Sequence, residues 1–143
     1  MVEPRRLAVR AAASRLAETL GEDVGQRVGF SIRGERRRSP STQIEVLTDG
    51  LFLCRLQADP SLPGVDCVLF DEFHERRRDA DLAIAMLREA LPLLRPDLAL
   101  LLMSATLDLT DLSQRLPEAL VLHSEGRSFP VETLHQAPRH QET

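Results

Sequence analysis

The stretch Cys67-Val68-Leu69-Phe70-Asp71-Glu72-Phe73-His74-Glu75 decides the fold and marks a candidate site. Its first four residues are apolar, which is typical of a strand covered on both faces in a parallel α/β sheet. Such sheets bind ligands beyond the carboxyl ends of their strands, which is where Asp71 and Glu72 lie. The same two residues could instead cap a following helix and occupy its first turn without any function. On these residues alone the two interpretations are equally well supported.

A second buried strand is predicted at Leu98 to Met103, and it also ends in small polar residues, Ser104-Ala105-Thr106. Pro96 ends the helix between the two strands, whose apolar side is predicted to comprise Leu82, Ile84, Ala85, Leu87, Leu91 and Leu94. Two buried strands joined by a helix form a right-handed parallel βαβ unit. Because the ends of parallel strands share one edge of the sheet, the hydroxyl groups should face the two carboxylates. This favours the functional interpretation.

Further elements of the same sheet are predicted on either side. Helices are indicated at residues 5–20, 51–56 and 108–116, and strands at residues 1–3, 28–32, 42–47 and 119–123. Thr48 or Asp49 could cap the second of these helices. Residues 34–41 are predicted to form an exposed loop, residues 129–135 an extended tail, and the polar residues 136–143 a frayed end.

Size and composition limit the classes of function. The chain has 143 residues, of which 43% are hydrophobic, so one domain with a core of Leu, Val, Ile and Ala is expected. The longest apolar run is too short to cross a membrane, and residues 1–6 lack the layout of a signal peptide, so a cytoplasmic location is expected. Cys54 and Cys67 are predicted to be buried in a reducing compartment. The histidines form no ligand pattern with them, and no metal site built only of protein side chains is predicted.

The basic residues are all arginines, although the formal net charge is −4. They cluster at Arg5-Arg6, Arg36-Arg37-Arg38 and Arg76-Arg77-Arg78. Arginine suits forked contacts to phosphate, and local patches can bind a polyanion on an acidic domain, but each cluster could equally be solvated surface. The absence of Lys has a firmer consequence. The phosphate-binding loop ending in Gly-Lys-Ser/Thr cannot be present in this chain.

Four segments together resemble the DEAH-box helicases of superfamily two, most closely the bacterial HrpB type. Asp71-Glu72-Phe73-His74-Glu75-Arg76 is similar to the Walker B box of the family, and Ser104-Ala105-Thr106 to its third motif. Glu3-Pro4-Arg5-Arg6 and Thr48-Asp49-Gly50 resemble two segments that line the nucleic-acid groove. The four occur in the family's order and cover nearly the whole chain. The resemblance implies a parallel-sheet RecA-like domain of the P-loop NTPase type over residues 1–135, with residues 136–143 as a polar tail.

The resemblance also implies roles for individual residues. Asp71 would hold Mg²⁺ through water, and Glu72 would orient or deprotonate the water that attacks the γ-phosphate of ATP. His74 would connect the nucleotide site to Ser104 and Thr106, which couple hydrolysis to strand movement. Without the family, His74 is better explained as a histidine with an ordinary hydrogen bond at a helix start. Single-stranded RNA or DNA would be held by Arg5, Arg6, Thr48, Asp49 and Gly50.

The chain departs from the family pattern in two respects. Phe73 replaces the usual Ala of the box, which should alter packing and leave the acid roles intact. The first strand with its glycine-rich phosphate loop is missing, as is the second RecA-like domain, and Gly126 to Val131 resembles the family's exit strand toward that domain. Two other hypotheses remain beside the partial motor domain. One is a noncatalytic module that binds a nucleic acid or a partner, and the other is an unrelated α/β enzyme acting on a small phosphorylated substrate.

Overall fold

The structure, a computed structural model, describes residues 1–105, 116–124 and 133. The chain divides into two compact units, Met1–Asp108 and Leu109–Thr143. All of the helices and strands described here belong to the first unit. None of the helices in the described part of the chain is both long enough and apolar enough to span a membrane.

The first unit is an α/β domain built on one mostly parallel sheet. Its strands are β1 (Val2–Glu3), β2 (Val28–Ile32), β3 (Glu35–Arg37), β4 (Ile44–Thr48), β5 (Cys67–Phe70) and β6 (Ala99–Leu102), in the order β3-β2-β4-β1-β5-β6. The helices are α1 (Arg6–Thr19), α2 (Asp49–Ala58) and α3 (Arg78–Leu94), and Phe73–Glu75 forms a 3₁₀ turn. The predicted parallel α/β class is confirmed.

The predicted βαβ unit is confirmed by β5, α3 and β6. β5 and β6 are parallel neighbours, and their register runs from Cys67 opposite Ala99 to Phe70 opposite Leu102. β1 lies between β4 and β5 and is parallel to both. The carboxyl ends of β1, β4, β5 and β6 therefore meet at one edge, which we call the carboxyl edge. It is the place where parallel sheets bind ligands.

The core forms where α1 packs on the sheet. Its buried members are Val9, Ala13 and Ala17 of α1 with Val28, Phe30, Ile32 and Val46 of β2 and β4. The spacing of four residues between Val9, Ala13 and Ala17 places them on one side of the helix. A second contact joins α2 to β5, where the rings of Phe52 and Phe70 meet edge to face with centroids 5.4 Å apart. These contacts fix the strands whose ends carry the polar groups.

The loop predicted at residues 34–41 is partly wrong, because it contains β3. Ile32 pairs with Glu35 in an antiparallel ladder, so only Arg33 and Gly34 form the turn between β2 and β3. Gly34 has φ 84°, a conformation that glycine adopts without steric cost and that the second central residue of a type II turn requires. The arginines of this segment gave it a loop-like composition, whereas the glycine was the signal of a hairpin.

The predicted burial of β5, β6 and α3 is also partly wrong. On α3 the buried residues are Ala83, Ile84 and Leu87, whereas Leu82, Ala85 and Leu94 are exposed. In β5 and β6 burial alternates along the strand, so that Cys67, Ala99 and Leu101 are exposed. An apolar run cannot show whether one face or both faces of a strand are covered. Cys54 is exposed as well, so neither cysteine is the buried side chain that was predicted.

The strand predicted beyond β6 is also wrong. Residues 119–123 were predicted as a strand, but within the described residues 116–124 they form no β-ladder, and Leu120 and Leu122 are exposed. An alternating pattern indicates an extended segment, but a β-ladder also requires a neighbouring strand to pair with it. The predicted helix at residues 108–116 and the tail segments at 129–135 and 136–143 lie outside the described residues, apart from Leu116 and Thr133.

Candidate functional site

Asp71 and Glu72 leave β5 at the carboxyl edge. The backbone N–H of Asp71 donates to the carbonyl of Val2 at 3.0 Å, and Asp71 Oδ1 accepts a hydrogen bond from the N–H of Glu72 at 2.8 Å. Glu72 has φ 51°, a left-handed conformation that costs a non-glycine residue about 1 kcal/mol. The α-helix that follows begins only at Arg78, with Arg77 as its cap residue. Capping of that helix by Asp71 is therefore wrong, and the functional interpretation remains.

His74 joins the ends of β5 and β6. Its Nδ1 lies 3.2 Å from Ser104 Oγ and 3.4 Å from Glu72 Oε2. The backbone N–H of Phe73 donates to the carbonyl of Met103 at 3.0 Å, which holds the 3₁₀ turn against the end of β6. Since Nδ1 carries at most one hydrogen, it can donate to the carboxylate or accept from the hydroxyl group. The predicted meeting of carboxylate and hydroxyl at one edge is thus observed for Ser104, while Thr106 lies outside the described residues.

Glu3 is a member of this site that the sequence did not reveal. It is the last residue of β1 and only 4% exposed. Burial raises the pKa of Glu3 to about 7, and the adjacent carboxylates of Asp71 and Glu72 act in the same direction. A protonated Glu3 can share a hydrogen with Asp71. The only sequence signal was its position at the end of a strand, since a two-residue strand has no apolar pattern of its own.

The carboxylates of Asp71 and Glu72, which we call the acid pair, have the ligand chemistry that suits a magnesium ion. Carboxylate oxygens are the hard ligands that Mg²⁺ prefers, and this ion usually takes one or two carboxylates together with water and substrate phosphates. No group of three or more potential metal ligands occurs among the described residues. Asp71 and Glu72 have the carboxylate oxygens that such an ion would require.

The segments predicted to contact nucleic acid begin at the same edge. Arg5, whose side chain is 69% exposed, donates to Glu75 Oε1 at 2.8 Å, and Arg6 donates to the carbonyl of Arg33 at 3.1 Å. Thr48 ends β4 and is the cap residue of α2, but its side chain makes no capping hydrogen bond within the described residues. Its hydroxyl group is therefore not needed to cap the helix.

Asp49 points inward. It is 5% exposed, and its Oδ2 accepts a hydrogen bond from Arg77 Nε at 2.6 Å while its Oδ1 accepts one from the N–H of Gly50 at 2.8 Å. Asp49 and Arg77 line the same small depression as Glu3, Asp71 and Glu72. The structure thus brings the Thr-Asp-Gly segment next to the acid pair, with the Asp49 carboxylate bound to Arg77.

Comparisons with known proteins agree with this geometry. No family model matches the chain. The ATP-dependent RNA helicase HrpB of Escherichia coli is 52% identical over 142 residues, which is 99% of this chain and 18% of that protein. The crystal structure of the E. coli DEAH/RHA helicase HrpB has a TM-score of 0.86 and 54% identity, and the match covers 92% of this chain and 17% of that one. Along almost its whole length this chain corresponds to a segment of the DEAH/RHA helicase HrpB.

Another curated protein is also similar to the chain. An HrpA homologue of Haemophilus influenzae, named an ATP-dependent RNA helicase, is 37% identical over 134 residues, or 94% of this chain and 10% of that protein. The chain spans less than a fifth of the length of each of these relatives. Because the match with HrpB includes 142 residues, all four motifs of this DEAH/RHA segment fall within it.

Proposed function

We propose that this chain is the part of an RNA helicase motor domain that activates water for ATP hydrolysis and contacts the RNA strand. The observation that supports this most directly is the contact of His74 with both Ser104 and Glu72 at the carboxyl edge. It joins a carboxylate suited to activating water with a hydroxyl group on the next strand. The relatives, which are named ATP-dependent RNA helicases, support ATP as the nucleotide and RNA as the strand.

The residues of the edge have distinct roles in this proposal. Asp71 would hold a magnesium ion, which would neutralise charge on the phosphates. Glu72 accepts a hydrogen bond from the attacking water and orients it. His74 links Glu72 to Ser104 through Nδ1, which carries at most one hydrogen. A change in the hydrogen bond between His74 and Glu72 therefore changes the hydrogen bond between His74 and Ser104. Thr106 is proposed to act with Ser104.

The strand-binding part of the proposal involves three side chains. Arg5 and Arg6 supply cations, and Thr48 supplies a hydroxyl group that is not used to cap α2 within the described residues. Contacts of this kind bind phosphates and set the position of the strand without reading its sequence. Arg5 would exchange Glu75 for a phosphate, since a salt bridge this exposed contributes little.

A binding experiment tests this proposal. The affinity of the chain for a fluorescein-labelled oligouridine is measured by anisotropy over a range of salt concentrations. We expect the double variant Arg5→Ala, Arg6→Ala to bind about tenfold more weakly, and its salt slope to fall by roughly 1.4, or about 0.7 for each phosphate that an arginine no longer neutralises. Arg15→Ala with Arg88→Ala removes the same charge from exposed helix positions and is the control. Equal weakening in both double variants would contradict the assignment.

A second function, a noncatalytic RNA-binding module, is favoured by one observation. The chain contains no Lys and therefore no Gly-Lys-Ser/Thr phosphate loop. Electrostatic positioning of the phosphates supplies most of this type of catalysis, so the chain by itself should hydrolyse ATP negligibly. Release of phosphate is measured with the wild type and with Glu72→Gln. Turnover that depends on Glu72 would show that the chain is catalytic alone and would exclude the second function.

A further inference from the structure

The ion pair between Asp49 and Arg77 connects the starts of two helices. Arg77 is the cap residue of α3, and Asp49 is the first residue of α2. The two atoms Arg77 Nε and Asp49 Oδ2 are 2.6 Å apart, and the side chains are 43% and 7% exposed. The backbone of Gly50 also lies close to α3, since a Cβ there would be 3.2 Å from Asp79 Oδ2. The two helix starts are thus packed against each other.

The burial of Asp49 makes this pair different from the others at the carboxyl edge. A carboxylate that is withdrawn from water needs hydrogen-bond partners, and removal of its cation leaves an uncompensated buried charge. Its second oxygen already accepts from the N–H of Gly50. Arg77 therefore compensates the buried charge of Asp49, which is also bound to the backbone of Gly50.

Residues 75–77 contact both strand-binding segments. Glu75 pairs with Arg5, and Arg77 pairs with Asp49. Glu75 is the last residue of the 3₁₀ turn that contains His74, and Arg77 lies two residues beyond it. The turn is flanked by left-handed residues at both ends, Glu72 with φ 51° and Arg76 with φ 48°. Backbone of this kind persists only where surrounding contacts hold it.

We infer that Arg77, acting through Asp49, is a positioning residue that holds Thr48-Asp49-Gly50 in the geometry that receives the RNA phosphates. This inference rests on the proposed function, because it assumes that the segment binds a strand. It assigns Asp49 an internal role, so that Thr48 and the backbone of Gly50 remain as the groups facing the strand.

Positioning by Asp49 and simple electrostatics predict opposite effects on RNA binding. RNA is a polyanion, so neutralising a carboxylate near its binding site should strengthen binding. If Asp49 acts by positioning, Asp49→Asn weakens binding instead. Arg77→Gln weakens binding under either explanation, but only a direct phosphate contact would lower the salt slope, by roughly 0.7 for a single strand. The direction of the affinity change in Asp49→Asn and the salt slope of Arg77→Gln therefore distinguish positioning from a direct phosphate contact.

The experiment measures oligouridine affinity and its salt slope for Asp49→Asn, Arg77→Gln and the double variant. We expect each single variant to bind about fivefold more weakly, with the double variant no weaker than the worse single variant and with unchanged slopes. The control is the pair Glu22 and Arg27, which has the same Nε-to-carboxylate geometry at 2.8 Å and a carboxylate side chain that is 8% exposed. It lies before β2, away from the carboxyl edge. Glu22→Gln and Arg27→Gln should leave the affinity within about twofold of the wild type.

Amide hydrogen exchange on the same variants gives a second readout without RNA. We expect Arg77→Gln and Asp49→Asn to speed exchange at residues 48–51 while exchange in β2 stays unchanged.

Tighter or unchanged RNA binding by Asp49→Asn, or a lower salt slope for Arg77→Gln, would overturn the inference. If the wild type binds no RNA, the proposed strand-binding function fails, and the inference about Arg77 is then tested by amide exchange alone. Faster exchange at residues 48–51 in the variants supports positioning by Arg77, and unchanged exchange overturns it. If Arg77→Gln does not fold, Arg77→Lys should bind like the wild type and Asp49→Asn should still bind more weakly.

Discussion

The buried carboxyl group of Glu3 should make the stability of this chain decrease between pH 5 and pH 8. Burial raises its pKa from 4.5 to about 7, with Asp71 and Glu72 adding to the effect. In that interval the folded chain holds a proton on Glu3 that the unfolded chain has lost. The contribution of Glu3 to stability is therefore fully present below pH 4.5 and is lost as the pH rises through 7. Glu3→Gln has no such proton and should not show this loss.

The magnitude follows from the two pKa values. A difference of about 2.5 units corresponds to about 3 kcal/mol when the loss is complete, at 1.36 kcal/mol for each unit. About 1 kcal/mol of this is already lost at pH 5, so the change between pH 5 and pH 8 is about 2 kcal/mol. We expect Glu3→Gln to be more stable than the wild type by about 2 kcal/mol at pH 8 and nearly equal to it at pH 5.

Urea denaturation followed by circular dichroism, in buffers with a chelator, measures this difference at each pH. The ammonium group of Met1, whose pKa is lowered by burial, titrates in both proteins and largely cancels in the difference. Glu18→Gln, which changes an exposed glutamate on α1, is the control and should show no such trend. A stability difference between Glu3→Gln and the wild type that is constant from pH 5 to pH 8 would refute the assignment of a neutral Glu3.

Three further predictions concern the sheet. Gly29→Ala should lower the free energy of unfolding by about 1–3 kcal/mol, because a Cβ would lie 2.6 Å from the carbonyl oxygen of Arg37; an unchanged urea midpoint would contradict the pairing of β2 with β3. The half-exposed β6 should promote self-association, and Leu101→Lys should reduce it in sedimentation velocity; a wild type that is monomeric at high concentration would contradict this. A double-mutant cycle of Phe52→Leu and Phe70→Leu should give a coupling of about 0.5–1.5 kcal/mol, and additive losses would exclude an edge-to-face contribution.

The carboxyl edge could be predicted from sequence because each step used a local pattern and one topological rule. An apolar run followed by Asp71-Glu72, and another followed by Ser104, each mark the end of a strand. The helix between them makes the strands parallel neighbours, as β5 and β6 are. Their polar ends then have to share an edge. The contact of His74 with Ser104 follows from this arrangement, and its 3.2 Å distance is an observation that the pattern alone could not provide.

Burial was harder to predict than strand position. An apolar run of four residues is compatible with covering on one face or on both, and β5 turned out to alternate. On α3 the helical period was recognised, but the buried stripe lies on Ala83, Ile84 and Leu87, whereas Leu82 and Ala85 are exposed. Small residues such as Ala83 mark close helix packing without adding to hydrophobicity. The pattern therefore identified the helix and misplaced its inner face.

The buried charges could not be predicted at all, because they depend on the order of the strands. β1 has two residues, yet it lies between β4 and β5, which places Glu3 inside the domain beside Asp71. Had β1 formed an edge of the sheet, the same glutamate would be solvated and its pKa ordinary. The pair of Asp49 and Arg77 joins residues 28 positions apart for the same reason, since it requires the starts of α2 and α3 to meet. When Glu3 is protonated, the carboxyl edge carries one negative charge fewer than the sequence suggests.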